Sequence, residues 1–426
     1  MLPALQAIRS KQDFHTLVFI AGTVLLNAIG AGLIIPVTPA LLAELSQTTI
    51  ADAALWGGYI AASYAAMQFL FGPAVGAISD RFGRRPVLLI SLAALTIDYL
   101  IMTFAGSLWV LFIGRLLAGV ASATYATAYA AVSDISHNGK RATRFGMVGA
   151  AIGFGFVIGP VIGGTLALFG IRVPFYISAI LIAITFVYGL FYMPETLPKA
   201  ARKAIRWRRA NPVGAALDIA QTPVLMWLFI ALFLFEMANF VYPAIWPYYT
   251  IEAFHWTTAQ VGLSLAIVGI GFSSVKGGLI RWIIPRKGEA KTVLYGFFFA
   301  VIALLGFAFA PNTLTVILLL PPAALGAMIP PAMIALMSHH VSQDKQGRLQ
   351  GALTSIIGLT LVLSTLMMTQ LFTHFTADGA ELYYPGAPFL LAATFMVLAI
   401  GPFLIGLKKI SGNSQPVALP ESTLAE

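Results

Sequence analysis

Long apolar stretches recur along this chain of 426 residues. Each is long enough to cross a bilayer, because a hydrocarbon core of about 30 Å is spanned by roughly 20 apolar residues in a helix. The pattern therefore predicts an all-α integral membrane protein with twelve transmembrane helices. The predicted segments are residues 17–42, 54–78, 87–105, 108–132, 146–168, 174–193, 223–247, 259–281, 292–310, 313–337, 350–373 and 387–407.

A stretch rich in lysine and arginine divides the twelve segments into two sets of six. It begins at Lys199, after the sixth segment, and continues to Ala210. We interpret it as a cytoplasmic linker between two helical bundles. The predicted organisation is a six-helix bundle over residues 1–198, a linker over 199–215, a second six-helix bundle over 216–410 and a cytoplasmic tail over 411–426.

The composition supports a membrane protein and excludes several other classes. Hydrophobic residues make up 59% of the chain and charged residues 10%, whereas a soluble domain carries about 25% charged residues. The net charge of +9 is spread over short loops, so it does not form the single basic face of a nucleic-acid-binding protein. The chain has no cysteine. Its six histidines form no cluster of ligands, and we expect no metal and no cofactor.

The positive charges also predict an orientation. Lysine and arginine collect in short cytoplasmic loops of membrane proteins. If the N-terminus is cytoplasmic, 22 of the 25 lysines and arginines fall on the cytoplasmic side. Both termini are therefore predicted to be cytoplasmic.

The loop between the second and third segments carries glycine, acidic and basic residues at fixed spacings. Charge bias alone explains the arginines of such a loop but not the positions of its glycines and its aspartate. The loop resembles the GxxxDRxGRR signature of the major facilitator superfamily, which implies a gating element at the cytoplasmic edge. The matching residues are Gly76, Asp80, Arg81, Gly83, Arg84 and Arg85.

The fifth segment contains small residues at intervals of four. Gly155, Gly159 and Gly163 share this spacing, and Pro160 and Gly164 complete the pattern. Small residues let membrane helices approach closely, and an internal proline removes a backbone donor so that the helix can bend. Ordinary helix packing would also account for the glycines. The sequence resembles the GxxxGPxxGG element of antiporters in the same superfamily.

Similarity to the tetracycline-resistance efflux pumps of that superfamily runs from about Val24 to Leu407. The resemblance implies a bacterial inner-membrane drug:proton antiporter. Those pumps have acidic residues in helix one, where this chain has Asn27, and in helix nine near Ala300; the helix-three carboxylate, Asp98, matches. The stretches that carry the resemblance begin at Leu33, Asp80, Ser91, Leu108, Phe254 and Gln346.

Four ionisable residues fall within the predicted spans: Asp98, Arg115, Glu236 and Lys276. Charged residues inside a membrane are rare and usually serve function. Asp98 and Glu236 lie near the middle of their helices, where transporters place substrate and coupling-ion sites, so both are candidate proton carriers. A structural hydrogen bond to a neighbouring helix is the alternative for each. Arg115 is expected to be a buried organiser, and Lys276 to reach toward the membrane interface.

A candidate substrate surface surrounds Glu236. Asn239 and Trp246 follow it at helical spacing, and aromatic residues lie nearby. Gln68 in the second segment and Tyr125 in the fourth suggest further polar lining. A polar point in an aromatic wall suits a large solute that is partly aromatic or cationic.

These observations predict a secondary active transporter that exports a small organic molecule in exchange for protons by alternating access. No Walker sequence is present, so an ion gradient rather than ATP would drive uphill transport. The expected partners are a small organic substrate, protons and the lipid bilayer, and a monomer is expected to be functional. A metabolite or siderophore-like importer or facilitator without proton exchange remains an alternative. A membrane-embedded enzyme is the alternative from another class.

Overall fold

The computed structural model describes residues 2–121, 124–136, 141–202, 223–342 and 346–413, and all regular secondary structure in these ranges is helical. The first half contains α1 (Leu2–Ile34), α2 (Thr38–Ser46), α3 (Ile50–Phe82), α4 (Arg84–Phe104), α5 (Leu108–Ala121), α6 (Thr124–Ile135), α7 (Arg141–Leu166) and α8 (Val173–Tyr192). The second half contains α9 (Pro223–Asn239), α10 (Val241–Phe254), α11 (Thr258–Ser274), α12 (Ile280–Ala308), α13 (Thr313–Leu325), α14 (Ile329–His339), α15 (Gln346–Thr376) and α16 (Ala387–Asn413).

In the described residues, eleven helical stretches are long and apolar enough to cross a membrane, and each of the twelve predicted segments overlaps one of them. One stretch of 51 residues, Thr258–Ala308, contains two predicted segments. As one straight helix it would be about 77 Å long, more than twice the thickness of the hydrocarbon core. The backbone leaves the helical conformation at Gly288, with φ 75° and ψ 165°. The stretch therefore comprises two spans joined at this glycine.

The first predicted segment is interrupted, which corrects the single continuous helix expected over residues 17–42. Helix α1 ends at Ile34, and α2 begins at Thr38 after a three-residue turn. Pro36 lies in this turn. A proline has no N–H to donate to the carbonyl four residues earlier, and its ring clashes with that carbonyl.

The glycines of the fifth predicted segment set the distance between α7 and its neighbours. A Cβ atom at Gly155 would lie 2.6 Å from Ala28 Cβ, and one at Gly159 would lie 2.7 Å from the Ile29 carbonyl oxygen. A Cβ atom at Gly163 would likewise overlap the backbone of α1. Because only glycine leaves room for these contacts, the small-residue pattern places α7 directly against α1.

An aromatic cluster fills part of the core of the second half. Trp246 packs edge to face against Phe307, with ring centroids 5.1 Å apart, and its indole nitrogen donates a hydrogen bond of 2.9 Å to Ser264 Oγ. The Tyr249 hydroxyl donates to the Phe307 carbonyl oxygen over 2.6 Å. Buried aromatic N–H and O–H groups are thus satisfied inside the cluster.

The predicted domain boundaries fall largely outside the described ranges. Residues 203–222 and 414–426 are not described, so the linker over 199–215 and the tail over 411–426 stay predictions. Lys199–Ala201 forms a short 3-10 helix after the first six spans.

Candidate substrate cavity and charged centres

A cavity of about 360 Å³ lies between the two halves. Four of the predicted site residues line it: Asn27 of α1, Gln68 of α3, Arg115 of α5 and Tyr125 of α6. The opposite wall comes from α10 and α15. This position between the halves is where transporters with two repeats hold their substrates.

Two helix interruptions shape the cavity. The α1–α2 turn contributes Ile35 to the wall, and α10 contributes Pro243 and Pro247. Pro243 cannot donate a hydrogen bond to the carbonyl of Asn239, which is the last residue of α9. The proline therefore accounts for the break between α9 and α10.

Asp98 and Arg115 form an ion pair beside the cavity. Arg115 Nη1 donates to Asp98 Oδ2 over 2.7 Å, and only 1% of the Asp98 side chain is exposed. The guanidinium carbon of Arg115 also lies 4.7 Å from the centroid of the Tyr64 ring, a cation–π contact. Arg115 lines the cavity, whereas Asp98 lies behind the wall and anchors it.

Several buried polar atoms around this pair have no hydrogen-bond partner within the described part of the chain. They are Asp98 Oδ1, Arg115 Nε, Asn27 Nδ2 and Tyr125 Oη. Buried polar atoms are nearly always hydrogen-bonded in folded proteins. Their concentration at one wall of the cavity marks this wall as the place for a polar solute group.

Glu236 forms a second charged centre in the other half. Its side chain is buried, with 6% exposed, one turn before the break between α9 and α10. The Asn239 amide lies within hydrogen-bonding reach of the carboxylate, and Lys276 lies within electrostatic range. Lys276 belongs to a π-helical turn, Val275–Leu279, and contacts the Phe272 ring.

Not every predicted site residue lines the cavity. Glu236 and Asn239, at the end of α9, are not among its lining residues, and Trp246 lies in the aromatic cluster. Asp98 is also absent from the lining and is paired with Arg115, which does line the cavity. The structure thus brings Asn27, Gln68 and the Asp98–Arg115 pair together in one half and places Glu236 in the other.

The halves close against each other at the end remote from the Asp80–Arg85 loop. A Cβ atom at Gly57 would overlap the Tyr248 hydroxyl, and one at Gly58 would overlap Thr369. The Thr373 hydroxyl donates to the Ala51 carbonyl oxygen over 2.7 Å. Gly164, a glycine of the antiporter-type motif on α7, is covered in the same way by the backbone of Thr258 on α11.

Nearer the Asp80–Arg85 loop, α3 has open space beside it. A Cβ atom at Gly72 or Gly76 would meet no atom within 4 Å among the described residues. The structure therefore represents a conformation in which the halves are closed against each other at the end remote from this loop. The sequence analysis did not identify Gly57, Gly58 or Thr369 as residues that join the halves. The two adjacent glycines within an apolar segment indicate a close helix contact, but not its partner.

The Asp80–Arg85 loop is held together by ion pairs within its own half. Arg84 Nη1 lies 2.7 Å from Asp80 Oδ1, and Arg84 Nε lies 3.0 Å from Asp134 Oδ2. Glu195 Oε1 accepts a hydrogen bond of 2.8 Å from the Arg84 backbone N–H at the start of α4. Gly83 has φ +112°, a value that favours glycine. Within the described residues, Asp80 is thus paired with Arg84 and not with a residue of the second half.

The remaining arginines of the motif have distinct positions. Arg85 Nη2 donates to the Leu190 carbonyl oxygen of α8 over 2.6 Å. Arg81 lies over the ring of Phe82 at 5.5 Å. The loop therefore ties α3, α4 and α8 into one unit.

Twelve apolar spans in two halves, with a cavity between them and closure at one end, define a multi-pass membrane transporter. The chain belongs to the Major Facilitator Superfamily, whose family model matches residues 20–365. This confirms the resemblance seen in the sequence motifs.

Individual relatives support the same assignment. The chain is 36% identical to the class C tetracycline resistance protein of Escherichia coli, over 84% of this chain and 90% of the relative. It is 38% identical to the class G tetracycline resistance protein of Vibrio anguillarum, over 82% and 88%. The fold is similar to that of a bacterial homolog of the human lysosomal transporter Spinster in an inward-facing, unoccupied conformation, with a TM-score of 0.76, 15% identity and coverage of 96% and 99%. These relatives and structural neighbours are transporters and not enzymes.

Proposed function

We propose that this protein exports a small organic molecule from the cytoplasm in exchange for protons. It would do so in the bacterial inner membrane, as a monomer with both termini in the cytoplasm. The observation that carries the proposal is the pair of buried carboxylates, Asp98 and Glu236, one in each half and each next to a helix that lines the central cavity. The similarity to tetracycline resistance proteins supports efflux.

The two carboxylates have different tasks in this mechanism. Asp98 positions Arg115, which offers donors to acceptor groups of the substrate. Glu236 forms no ion pair within the described part of the chain, so it can exchange a proton without breaking one. It lies at the α9–α10 break, and solute pressing on Pro243 and Pro247 would alter its surroundings. Substrate binding and protonation of Glu236 would then both act on the conformation of the α9–α10 break.

The Asp80–Arg85 loop acts as a gating element in the proposal. In the conformation described above its charges pair within the first half. Closure at this end would bring the loop toward the second half while the contacts at Gly57 and Gly58 separate. Exchange between these two closures is alternating access.

Purified protein in proteoliposomes tests the proposal. A pH-sensitive dye trapped in the vesicles reports proton movement when a panel of aromatic and carboxylate solutes is added, and solute uptake is measured in parallel. We expect one solute class to move protons in the opposite direction, with loss of this response in Arg115→Gln. Transport of a solute without any proton movement would contradict antiport.

Transport without proton movement would instead correspond to a facilitator or importer. One observation favours it: Asn27 occupies the cavity wall at the helix-one position where the tetracycline pumps have an acidic residue. An amide cannot carry a proton on and off at physiological pH. Asn27→Asp therefore tests whether an added acid at this position increases proton movement per solute.

A further inference from the structure

A second cavity, of about 640 Å³, lies between α1 and α8 and is larger than the central one. Among the residues that the structure describes, the two cavities have no lining residue in common. Val18 and Ile184 at its edge are 50% and 59% exposed. Because large apolar side chains on the outside of a transmembrane bundle face lipid, this groove opens into the bilayer. We refer to it as the α1–α8 groove.

The α1–α8 groove extends through about one leaflet. Along α1 its lining runs from His15 to Leu26, which corresponds to about 16 Å of helix, or half of a hydrocarbon core of about 30 Å. The end of the groove that is nearer the membrane surface lies beside Tyr192 and Pro194. These residues are close to Leu190, whose carbonyl oxygen accepts a hydrogen bond from Arg85. The groove therefore belongs to the leaflet on the side of the Asp80–Arg85 loop. A molecule reaches it from that leaflet.

The walls of the groove are aromatic. Tyr188 and Tyr192 stack with ring centroids 4.6 Å apart and an interplanar angle of 25°. Phe19 lies 5.6 Å from Tyr188. At Gly22 a Cβ atom would meet no atom of the described chain within 4 Å, so the floor is open beside these rings. Such a volume and wall suit a drug-sized aromatic molecule.

A polar atom at the inner end of the groove specifies the ligand further. Thr23 is 1% exposed, and its Oγ1 has no hydrogen-bond partner in the part of the chain that the structure describes. By contrast, Thr185 across the groove donates to the Leu181 carbonyl oxygen over 2.8 Å. A buried hydroxyl without a partner favours a ligand that brings an acceptor. A hydrocarbon chain of a lipid would leave Thr23 unpaired.

We propose that the α1–α8 groove is a second ligand site, which binds a lipid-soluble aromatic molecule bearing a carbonyl oxygen. The rings of Phe19, Tyr188 and Tyr192 contact the aromatic part of the ligand. The Thr23 hydroxyl donates to its carbonyl group. The site is loaded from one leaflet and is separate from the central cavity, so the proposal holds whether or not transport is coupled to protons.

Benzophenone is a suitable probe because it is a lipid-soluble aromatic ketone that attaches to nearby C–H groups on irradiation. The full-length protein in phospholipid vesicles is irradiated at increasing probe concentrations, and attachment sites are located by peptide mass spectrometry. We expect saturable attachment within residues 18–26 and 184–192. Protection by 2-acetylnaphthalene should exceed protection by 2-ethylnaphthalene, which has the same rings without the carbonyl.

Matched variants isolate each contact. Thr23→Val should weaken protection by 2-acetylnaphthalene about threefold to tenfold, the range expected for one hydrogen bond, and leave 2-ethylnaphthalene unchanged. Thr23→Ser, which keeps the hydroxyl, should be protected by 2-acetylnaphthalene as the parent is. Thr165→Val, an exposed threonine of α7 outside the groove, is the control. Gly22→Leu should abolish attachment, whereas Gly72→Leu on α3, which also has open space, should not.

Two results would overturn the proposal. Attachment that does not saturate, or that persists in Gly22→Leu, would show that the probe labels lipid-facing surface in general. Equal protection by both naphthalenes, unchanged in Thr23→Val, would remove the carbonyl requirement and leave a site that an acyl chain can fill. The threonine variants keep the test decisive if Gly22→Leu fails to fold.

Discussion

The hydroxyl of Tyr248 on α10 occupies the space that a side chain at Gly57 on α3 would need. The two residues belong to different halves, so this contact joins the halves at one end of the cavity. The next residue, Gly58, makes the equivalent contact with Thr369. Closure at this end therefore requires two consecutive positions without a side chain.

Gly57→Ala and Gly58→Ala should shift the protein toward the conformation that is open at this end. The added methyl group overlaps Tyr248 or Thr369 only when the halves are closed here. Spin labels on Asp52→Cys and Asp378→Cys, both exposed, should move apart in electron paramagnetic resonance distance measurements. The chain has no native cysteine to interfere.

Gly72→Ala on the same helix is the control for this shift, since a methyl group there meets no neighbour within 4 Å in the described ranges. Its label distances should match those of the parent. An unchanged distance in Gly57→Ala would mean that closure does not depend on this contact.

Gly83→Ala should destabilise the protein by about 1–3 kcal/mol. A non-glycine residue at φ +112° is strained, and the new methyl group would overlap the Glu195 carboxylate that caps α4. Gly288→Ala is the matched comparison, because φ is also positive there but the space is open. Thermal unfolding in detergent should show a larger loss for Gly83→Ala; equal losses would exclude a role for Glu195.

Asp98→Asn should lower the free energy of unfolding by about 3–5 kcal/mol, because it leaves the Arg115 guanidinium buried without its partner. Asp98→Asn/Arg115→Gln should recover part of this loss, since an amide pair is cheaper to bury than a lone charge. A double-mutant cycle by thermal unfolding measures the coupling. Additive single losses would show that the pair contributes no coupling energy.

Orientation is tested by labelling. The exposed residues Lys199 and Asp378 lie at opposite ends of the molecule, and each is replaced by cysteine. With cytoplasmic termini, a membrane-impermeant maleimide should react with intact cells only at Asp378→Cys. Reaction at Lys199→Cys without permeabilisation would reverse the predicted topology.

The spans and the family motif could be predicted from the sequence because both are local patterns. Membrane spans follow from the length of apolar runs, and the Gly76–Arg85 pattern lies on consecutive residues. The contact between Gly57 and Tyr248 could not be predicted in the same way. It joins residues of different halves, and no local pattern states which helices meet.

Helical spacing also fails where a helix breaks. Asn239 lies in α9 with Glu236 and stays within hydrogen-bonding reach of it, as the spacing predicts. Trp246 shares the face of Glu236 only if the helix is continuous, but α9 ends at Asn239 and α10 begins at Val241. Trp246 consequently packs against Phe307, while Pro243 and Pro247 line the cavity. A proline also interrupts the first predicted segment, where Pro36 lies between α1 and α2.

Glu236→Gln tests proton coupling most directly. Glutamine retains hydrogen bonding to Asn239 but cannot exchange a proton. In proteoliposomes with an imposed pH gradient, we expect the variant to bind and exchange the transported solute across the membrane at the parental level, yet to lose its gradient-driven accumulation. Accumulation in Glu236→Gln as steep as in the parent would contradict the assignment of Glu236 as the proton carrier.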